Sequence, residues 1–490
     1  MTFVRKKKMK SGKVYAYEIS SFWDSEKKQS RSKSTYIGIV NDLGEIISNK
    51  KSKKHREICF PEKENLILDF GNCYLAYEMI KKSAVYDCFD FLINNEEFLA
   101  LISYRLCQPG PMYNAHLWLE SCFLKTKVEP KKLSSQNISK ILSILGEEKI
   151  QQDFFRKYIK KTNITGSKNV VIDATSLPNS INSDFNAWGY SDGGVESQFR
   201  FHCVVDQINK NPIFYRYIPG NIPDISSLKN TLEELKALGV EQSFALLDAG
   251  YCSEQNILAL RENKIDFLMR MPAGRVLYKD MINEHAQKIE ALENSVQYGK
   301  RSLFVKRFQT DLYKDKGYAY LILDPQKKMK DIQSIIERRS EKKIEISEKK
   351  QEIIDKEQEE EHFNFIKAGI FMLISSKEIP EDEVLFSYYT RQTIEQIFGF
   401  SKSDLDILPI RCHTDQTIRG YLFLQFILLV IFIEIRKKLN NNFTVEQALM
   451  LTRGLKCKVY SDQYLVQETT RNQKKVFELC DVIVPTIQGI

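Results

Sequence analysis

Val170-Val171-Ile172-Asp173-Ala174-Thr175 lies about a third of the way along a 490-residue chain and decides how the part after it is read. Three β-branched residues in a row describe a strand buried on both faces, as in a sheet covered by helices. A carboxylate closes the run, and a buried carboxylate is costly unless it is paired or binds a cation. The pattern returns 75 positions later in Ala245-Leu246-Leu247-Asp248-Ala249-Gly250-Tyr251. Either acid alone reads equally as a loop cap or as a ligand. Two similar strand endings in one sheet favour ligands that share divalent cations.

Outward from these runs, strands are expected at residues 198–206 and 212–219, joined by a hairpin turn at Asn209-Lys210-Asn211. A helix over 224–238 stops at Gly239, a strand at 243–248 follows, then a helix over 253–263 and a strand at 266–271. Alternation of this kind with a hairpin near the front makes the fold class α/β, a mixed sheet flanked by helices. Residues 272–325 read as strand-rich and irregular. Residues 331–361 are charged at 18 of 31 positions and lack Gly and Pro, so they read as a long solvated helix with a thin isoleucine stripe. A buried strand at 366–374 and a helix from about 381 to 400 complete this region.

That last helix carries Tyr388-Tyr389-Thr390-Arg391-Gln392-Thr393-Ile394-Glu395-Gln396-Ile397-Phe398-Gly399-Phe400-Ser401-Lys402. At roughly 100° per residue, a continuous helix places Tyr388, Arg391, Glu395 and Lys402 within a sector of roughly 60°. A carboxylate, two cations and a phenol then face one way. Such a face suits a phosphodiester site in which Glu395 helps hold metal while Arg391, Lys402 and Tyr388 meet phosphate or sugar. The plain alternative is an exposed helix with an Arg391/Glu395 salt bridge one turn apart. Gly399 weakens the helix ahead of Lys402.

Composition sets the frame. Residues 1–56 hold 15 Lys or Arg against five Asp or Glu, a local charge of +10 in a chain whose total is +8. These cations flank an aromatic β-type segment (Tyr15, Tyr17, Phe22, Trp23, Tyr36), a pattern that fits a polyanion partner or simply solvated terminal charge. Residues 64–160 show helical spacing, broken at Gln108-Pro109-Gly110-Pro111 and at Glu129-Pro130; within them 133–142 reads as a DNA-reading helix or, more simply, an amphipathic one. Ten cysteines without a C-x-x-C pair argue against a zinc ribbon or disulfide framework. The apolar run at 421–433 is too short to span a bilayer and reads as a buried helix, and residues 1–10 lack the apolar core of a signal peptide. A cytoplasmic protein with no membrane association is expected.

These motifs together resemble the DDE transposases of bacterial insertion sequences, in the large group with the YREK signature. That signature is Tyr, two residues, Arg, three residues, Glu, six residues, Lys, and Tyr388, Arg391, Glu395 and Lys402 match it without a gap. Val-Ile-Asp-Ala-Thr-Ser around Asp173 and Leu-Leu-Asp-Ala-Gly-Tyr around Asp248 are similar to the group's two aspartate motifs, and the resemblance covers most of residues 165–435. It implies an RNase H-like catalytic domain, placed here at 165–440 with an insertion at 272–364. Ahead of it come a basic β unit (1–60) and a helical DNA-binding region (61–164), and after it a segment of residues 441–490.

The resemblance also implies that Asp173, Asp248 and Glu395 are the catalytic acids and hold two Mg2+ ions, with Mn2+ as a substitute. Tyr388, Arg391 and Lys402 would contact DNA. The partners would be the element's terminal inverted repeats and target DNA, engaged by a synaptic homodimer associated with the bacterial nucleoid. The chemistry would be in-line displacement at phosphorus without a protein nucleophile. Some members form a DNA hairpin and hold a flipped base with a tryptophan in the insertion. Trp23, Trp118 and Trp188 all lie outside it, leaving Tyr278, Tyr298 or Phe304 for that task. His202 and His413 read as packed or surface histidines, Asp206 as a turn residue, and Asp324 as the main rival to Asp248. Arg411, His413 and Arg419 read as further phosphate contacts or plain surface charge. Competing readings are a nuclease of the same fold that does not join strands, and a non-catalytic DNA-binding repressor. No Arg, His-x-x-Arg and Tyr constellation supports a tyrosine recombinase.

Overall fold

The computed structural model describes residues 2–9, 13–24, 29–41, 44, 46–47, 66–93, 95–162, 168–191, 194–342, 351–460 and 463–489. The basic cluster at 50–56 and the middle of the charged segment at 331–361 lie outside the described residues. The chain divides into two units: a small one, Met1–Ile67 with Lys458–Leu465 and Gly489, and a large one that holds the remainder.

In the small unit, alternating residues produce an antiparallel sheet of β1 (Thr2–Lys8), β2 (Val14–Asp24), β3 (Gln29–Val40) and β4 (Ile46–Ile47). Tyr15 and Tyr17 project from one face of β2, where their ring centroids lie 5.7 and 5.6 Å from that of Tyr36 on β3. Ala16, between them, turns to the other face and is buried. Arg5, Lys6, Lys7 and Lys8 stand exposed along β1. A short strand, β5 (Leu66–Asp69), follows in the chain.

The large unit begins with helices, among them Gly71–Lys82, Glu96–Cys107, Ser135–Leu145 and Glu148–Lys161. The chain leaves the helical path at Gln108, ahead of the Pro-Gly-Pro run, as expected. The stretch at 133–142 becomes helix Ser135–Leu145, which buries Ile138, Ile141, Leu142 and Leu145 as an amphipathic helix does. Its end crosses helix Asp415–Leu439 at two glycines. A Cβ on Gly420 would sit 1.8 Å from the Leu142 carbonyl oxygen, and one on Gly146 would sit 1.9 Å from that of Gln416. Helix Asp415–Leu439 starts in a Thr414/Thr417 capping box and buries nearly all of the apolar run at 421–433. By length and composition it could cross a membrane, but 89% of its most apolar window is buried inside the protein. Phe155, Tyr215 and Phe426 pack together, with centroids 5.3 Å apart for Phe155–Phe426 and 5.2 Å for Tyr215–Phe426, and fasten this helix to the sheet.

That sheet has ten strands among the described residues. Its centre is formed by β6 (Lys168–Pro178), β7 (Ala187–Ser191), β8 (Gly194–Asp206), β9 (Pro212–Pro219), β10 (Gln242–Leu247) and β11 (Asp266–Met271). Strands β6, β8 and β9 form an antiparallel meander, whereas β10 and β11 run parallel to β6 after helical crossovers through Asp224–Ala237 and Glu254–Glu262. The α/β expectation therefore holds as a mixed sheet flanked by helices.

Two expectations need correction. Asp173 does not end its strand, because β6 continues to Pro178 on the support of the 13-residue β8. Second, the strand-rich region after 272 also holds a helix that the sequence pattern does not announce: Val276–His285 precedes β12 (Ser295–Tyr298), β13 (Arg301–Asp311) and β14 (Lys316–Leu323). These three strands extend the main sheet through β15 (Ile370–Ser375). Helices Pro325–Lys342 and Gln351–Ile366 account for the described charged residues.

Candidate active site

Strand register brings the first two acids together. The parallel pairing of β10 with β6 ends at Leu247↔Ile172, so the next residue on each strand is Asp248 and Asp173. Beyond that point β10 leaves the sheet through a 3-10 turn, Ala249–Tyr251, and β6 runs on without its neighbour. Asp173 is thus buried at the place where the sheet splits, and the Asp248 side chain is about a third exposed beside it.

The third acid arrives on the signature segment, which lies across β6. It is not one continuous α-helix. Helix Glu381–Tyr389 passes through Thr390 and Arg391, both with helical dihedrals, into helix Gln392–Gly399, and a π-helical turn occupies Phe400–Asp404. Arg391 and Glu395 keep the expected one-turn spacing. The wider π turn carries Lys402 onto an exposed position, and among the described residues it forms no ion pair with the acids.

All three acids converge on one guanidinium. Arg391 Nη1 donates to Asp173 Oδ2 at 2.8 Å and lies 3.6 Å from Asp248 Oδ2, and its Nη2 donates to Glu395 Oε1 at 2.6 Å. The remaining Asp173 oxygen, Oδ1, accepts from the Ala174 amide at 2.9 Å. Burial pushes the Asp173 carboxyl up to about 7, against the pull of Arg391. Three hard oxygen donors around a single positive centre match the donor set of a divalent cation such as Mg2+. Among the described residues no three His, Cys, Asp or Glu side chains are disposed to hold a metal ion by themselves, since the acids are arrayed around Arg391.

Tyr388 is buried one turn before, with Arg391 5.9 Å above its ring, and among the described residues its hydroxyl has no hydrogen-bond partner; burial pushes it up to about 12. It lines a cleft of about 200 Å3 together with Arg391, Glu395, Arg270, Arg301, Asp324 and Lys327. Tyr389, also in this cleft, stacks on Tyr298 of the insertion with centroids 4.7 Å apart.

A supporting group escaped the sequence reading. Ala174 on β6 pairs with His202 on β8, and this places His202 immediately behind the acids. Burial, reinforced by Arg200 and Arg216, drives the His202 imidazole down to about 3, so it is neutral. Its Nδ1 stands 3.0 Å from the Tyr251 hydroxyl and 3.3 Å from that of Ser227, and its Nε2 lies 3.5 Å from Asp224 Oδ1. Arg200 donates to Asp224 Oδ2 at 2.7 Å. The network ties the turn after Asp248 to β8 and to the helix starting at Asp224. A packed histidine was the right reading of His202, but nothing in the spacing revealed its partners; the Tyr closing Asp-Ala-Gly-Tyr was the available clue.

Other residues fall elsewhere. Asp324 pairs with Arg301 and accepts from the amides of Gln326 and Lys327 at 3.0 and 3.3 Å, so it caps a helix instead of joining the acids. Asp206 accepts from the amides of Ile208 and Asn209 at 2.8 and 2.6 Å, as a turn residue. Tyr278 is buried with its hydroxyl on the Ile370 carbonyl at 2.9 Å, which removes it as a holder of a flipped base. Arg411 and His413 are exposed, and Arg419 lines a separate cavity with Tyr215 and Arg216.

No curated protein matches the chain. A cryo-EM structure of the piggyBac transposase synaptic complex with hairpin DNA aligns over 84% of this chain and 78% of that one, at 10% identity and a TM-score of 0.38. The family model for the transposase DDE domain matches residues 165–431, the span from β6 to the core helix that contains all three acids. That match covers more than half of the sequence, and the chain belongs to the DDE transposase family.

Proposed function

We propose that this protein cuts DNA at the ends of a bacterial insertion sequence of the YREK group and joins the freed 3′ hydroxyls to target DNA. The observation that carries this reading is the meeting of Asp173, Asp248 and Glu395 around one cationic group beside a cleft lined with Arg and Lys. The meander β9-β8-β6 followed by parallel β10 and β11 supports an RNase H-like core. Asp173, Asp248 and Glu395 are the residues that would hold two Mg2+ ions, or Mn2+ in their place. Bound there, such a pair supplies an activated water or 3′ hydroxyl on one side of phosphorus and a stabilised leaving oxygen on the other.

The protein's own groups do the rest. Arg391 and the neighbouring cations of the cleft take phosphate oxygens, the free Tyr388 hydroxyl donates to one of them, and Lys402 reaches DNA from the π turn. The neutral His202 network fixes the turn that carries Asp248. The helices before residue 165 are read as gripping the terminal repeats, and the basic β1 strand, in the small unit, as a polyanion contact of its own. Two copies are expected to act together at paired ends, in the bacterial cytoplasm.

Purified protein incubated with a labelled element-end fragment and Mg2+ tests this. Cleavage at the element boundary and covalent joining to a second duplex are expected, both lost with EDTA and reduced about a hundred- to a thousandfold in Glu395→Gln, as for loss of a charge-stabilising group. Hydrolysis without joined product would favour the nuclease reading instead. Binding with undiminished biological effect in Asp173→Asn would favour the repressor.

A further inference from the structure

Arg391 is the cation that the three acids share. Asp173 Oδ1 is taken by the Ala174 amide, so Oδ2 is the oxygen turned toward the other acids, and Arg391 Nη1 sits on it at 2.8 Å. The second terminal nitrogen of the same guanidinium is held by Glu395 at 2.6 Å, and the group reaches Asp248 at 3.6 Å. Without a positive centre, three carboxylates this close repel one another in a partly buried pocket. The guanidinium and a divalent cation therefore claim the same oxygens.

A second place for the guanidinium lies next to the first. The cleft beside Arg391 is lined by Arg270, Lys327 and Arg301, the last paired with Asp324, and by Tyr388, whose hydroxyl has no partner among the described residues; its three cations against Asp324 leave it able to take a phosphodiester. Turning a long, flexible arginine from carboxylates to a phosphate exchanges one charge-assisted pair for another of similar strength.

Resting on the reading of Asp173, Asp248 and Glu395 as cation ligands, we propose that Arg391 is a built-in counter-ion that holds the acids until DNA arrives. A phosphate drawing Arg391 into the cleft opens the acids to a divalent cation, so that cation loading and DNA engagement favour each other. Linkage requires the effect to be reciprocal. The consequence is protection: the chain resists loading for strand cleavage in solution and loads on its substrate.

The test is a Mn2+ titration of the full chain, following the free-ion signal by electron paramagnetic resonance, with and without a 20-base-pair duplex. Mn2+ is expected to bind Arg391→Gln about tenfold more tightly than wild type in the absence of DNA. Arg391→Lys, which keeps the charge, is expected to stay near wild type. Wild-type affinity is expected to rise by a similar factor when duplex is added, a measurement that needs no variant to fold. Unchanged or weaker binding in Arg391→Gln, or no response of the wild type to DNA, overturns the counter-ion role even if Asp173→Asn abolishes Mn2+ binding. Mn2+ binding that ignores Asp173→Asn overturns the ligand reading itself, and the counter-ion role falls with it.

Discussion

Asp173 carries the conflict on which the site is built. Its folded carboxyl titrates near 7, mainly because burial disfavours the charge, although Arg391 works in the opposite direction. For an acid whose folded value is raised, the protonated form favours the folded state. The stabilisation is full below the unfolded value near 4 and is lost as pH rises through about 7. In EDTA, the thermal unfolding midpoint should therefore fall between pH 5 and 8, and fall less in Asp173→Asn. Glu434 on the core helix, raised by burial to about 7 as well, contributes a parallel loss that Glu434→Gln removes. A midpoint whose pH slope is identical in wild type and Asp173→Asn would show that Asp173 does not carry the strain. Asp173 and Asp248 were legible because each closes an apolar run, where a charge demands an explanation. Arg200, Asp224 and His202 were not, because their meeting depends on which residues β6 and β8 set opposite each other and on where the next helix enters.

Among the elements, the strands and helices from 198 to 271 fell close to where periodicity put them, since their apolar runs are bounded by strong stops such as Gly239 and the turn at 209–211. Helix Val276–His285 was missed although Tyr278, Met281 and Ile282 bury at helical spacing; ten residues without a side-chain cap gave too short a signal. The signature helix was foreseen in extent but not in its π turn at Phe400–Asp404, on which Lys402 stands exposed. Helix Asp415–Leu439 shows the limit of hydropathy, which cannot tell a core helix from a spanning one; the crossing at Gly420 settles its place. A methyl group there meets the Leu142 carbonyl at 1.8 Å, a contact that backbone must move to relieve. Gly420→Ala should destabilise the protein by about 1–3 kcal/mol, the usual cost of overpacking. Denaturant unfolding monitored by fluorescence reads this directly, and an unchanged midpoint would contradict the close crossing.

At the scale of the molecule, the sheet unites what the sequence divides. The acids lie at residues 173, 248 and 395, and the strands between the last two, which read as an insertion within the catalytic domain, extend the same sheet past β15. This continuity places Arg301 on β13 and Lys327 on the following helix in one cleft with Arg391 and Glu395. Remote segments were therefore legible as motifs, whereas their common location was legible only through resemblance, because no local pattern encodes a ten-strand order. The account rests on Asp173, Asp248 and Glu395 acting as one cation-holding group against DNA. The most direct measurement is anomalous diffraction at the manganese edge from crystals grown with DNA and Mn2+. Manganese peaks bounded by the carboxylates of Asp173, Asp248 and Glu395 are expected beside a phosphodiester. Peaks on other residues, from protein that still cleaves DNA with Mn2+, would contradict the account.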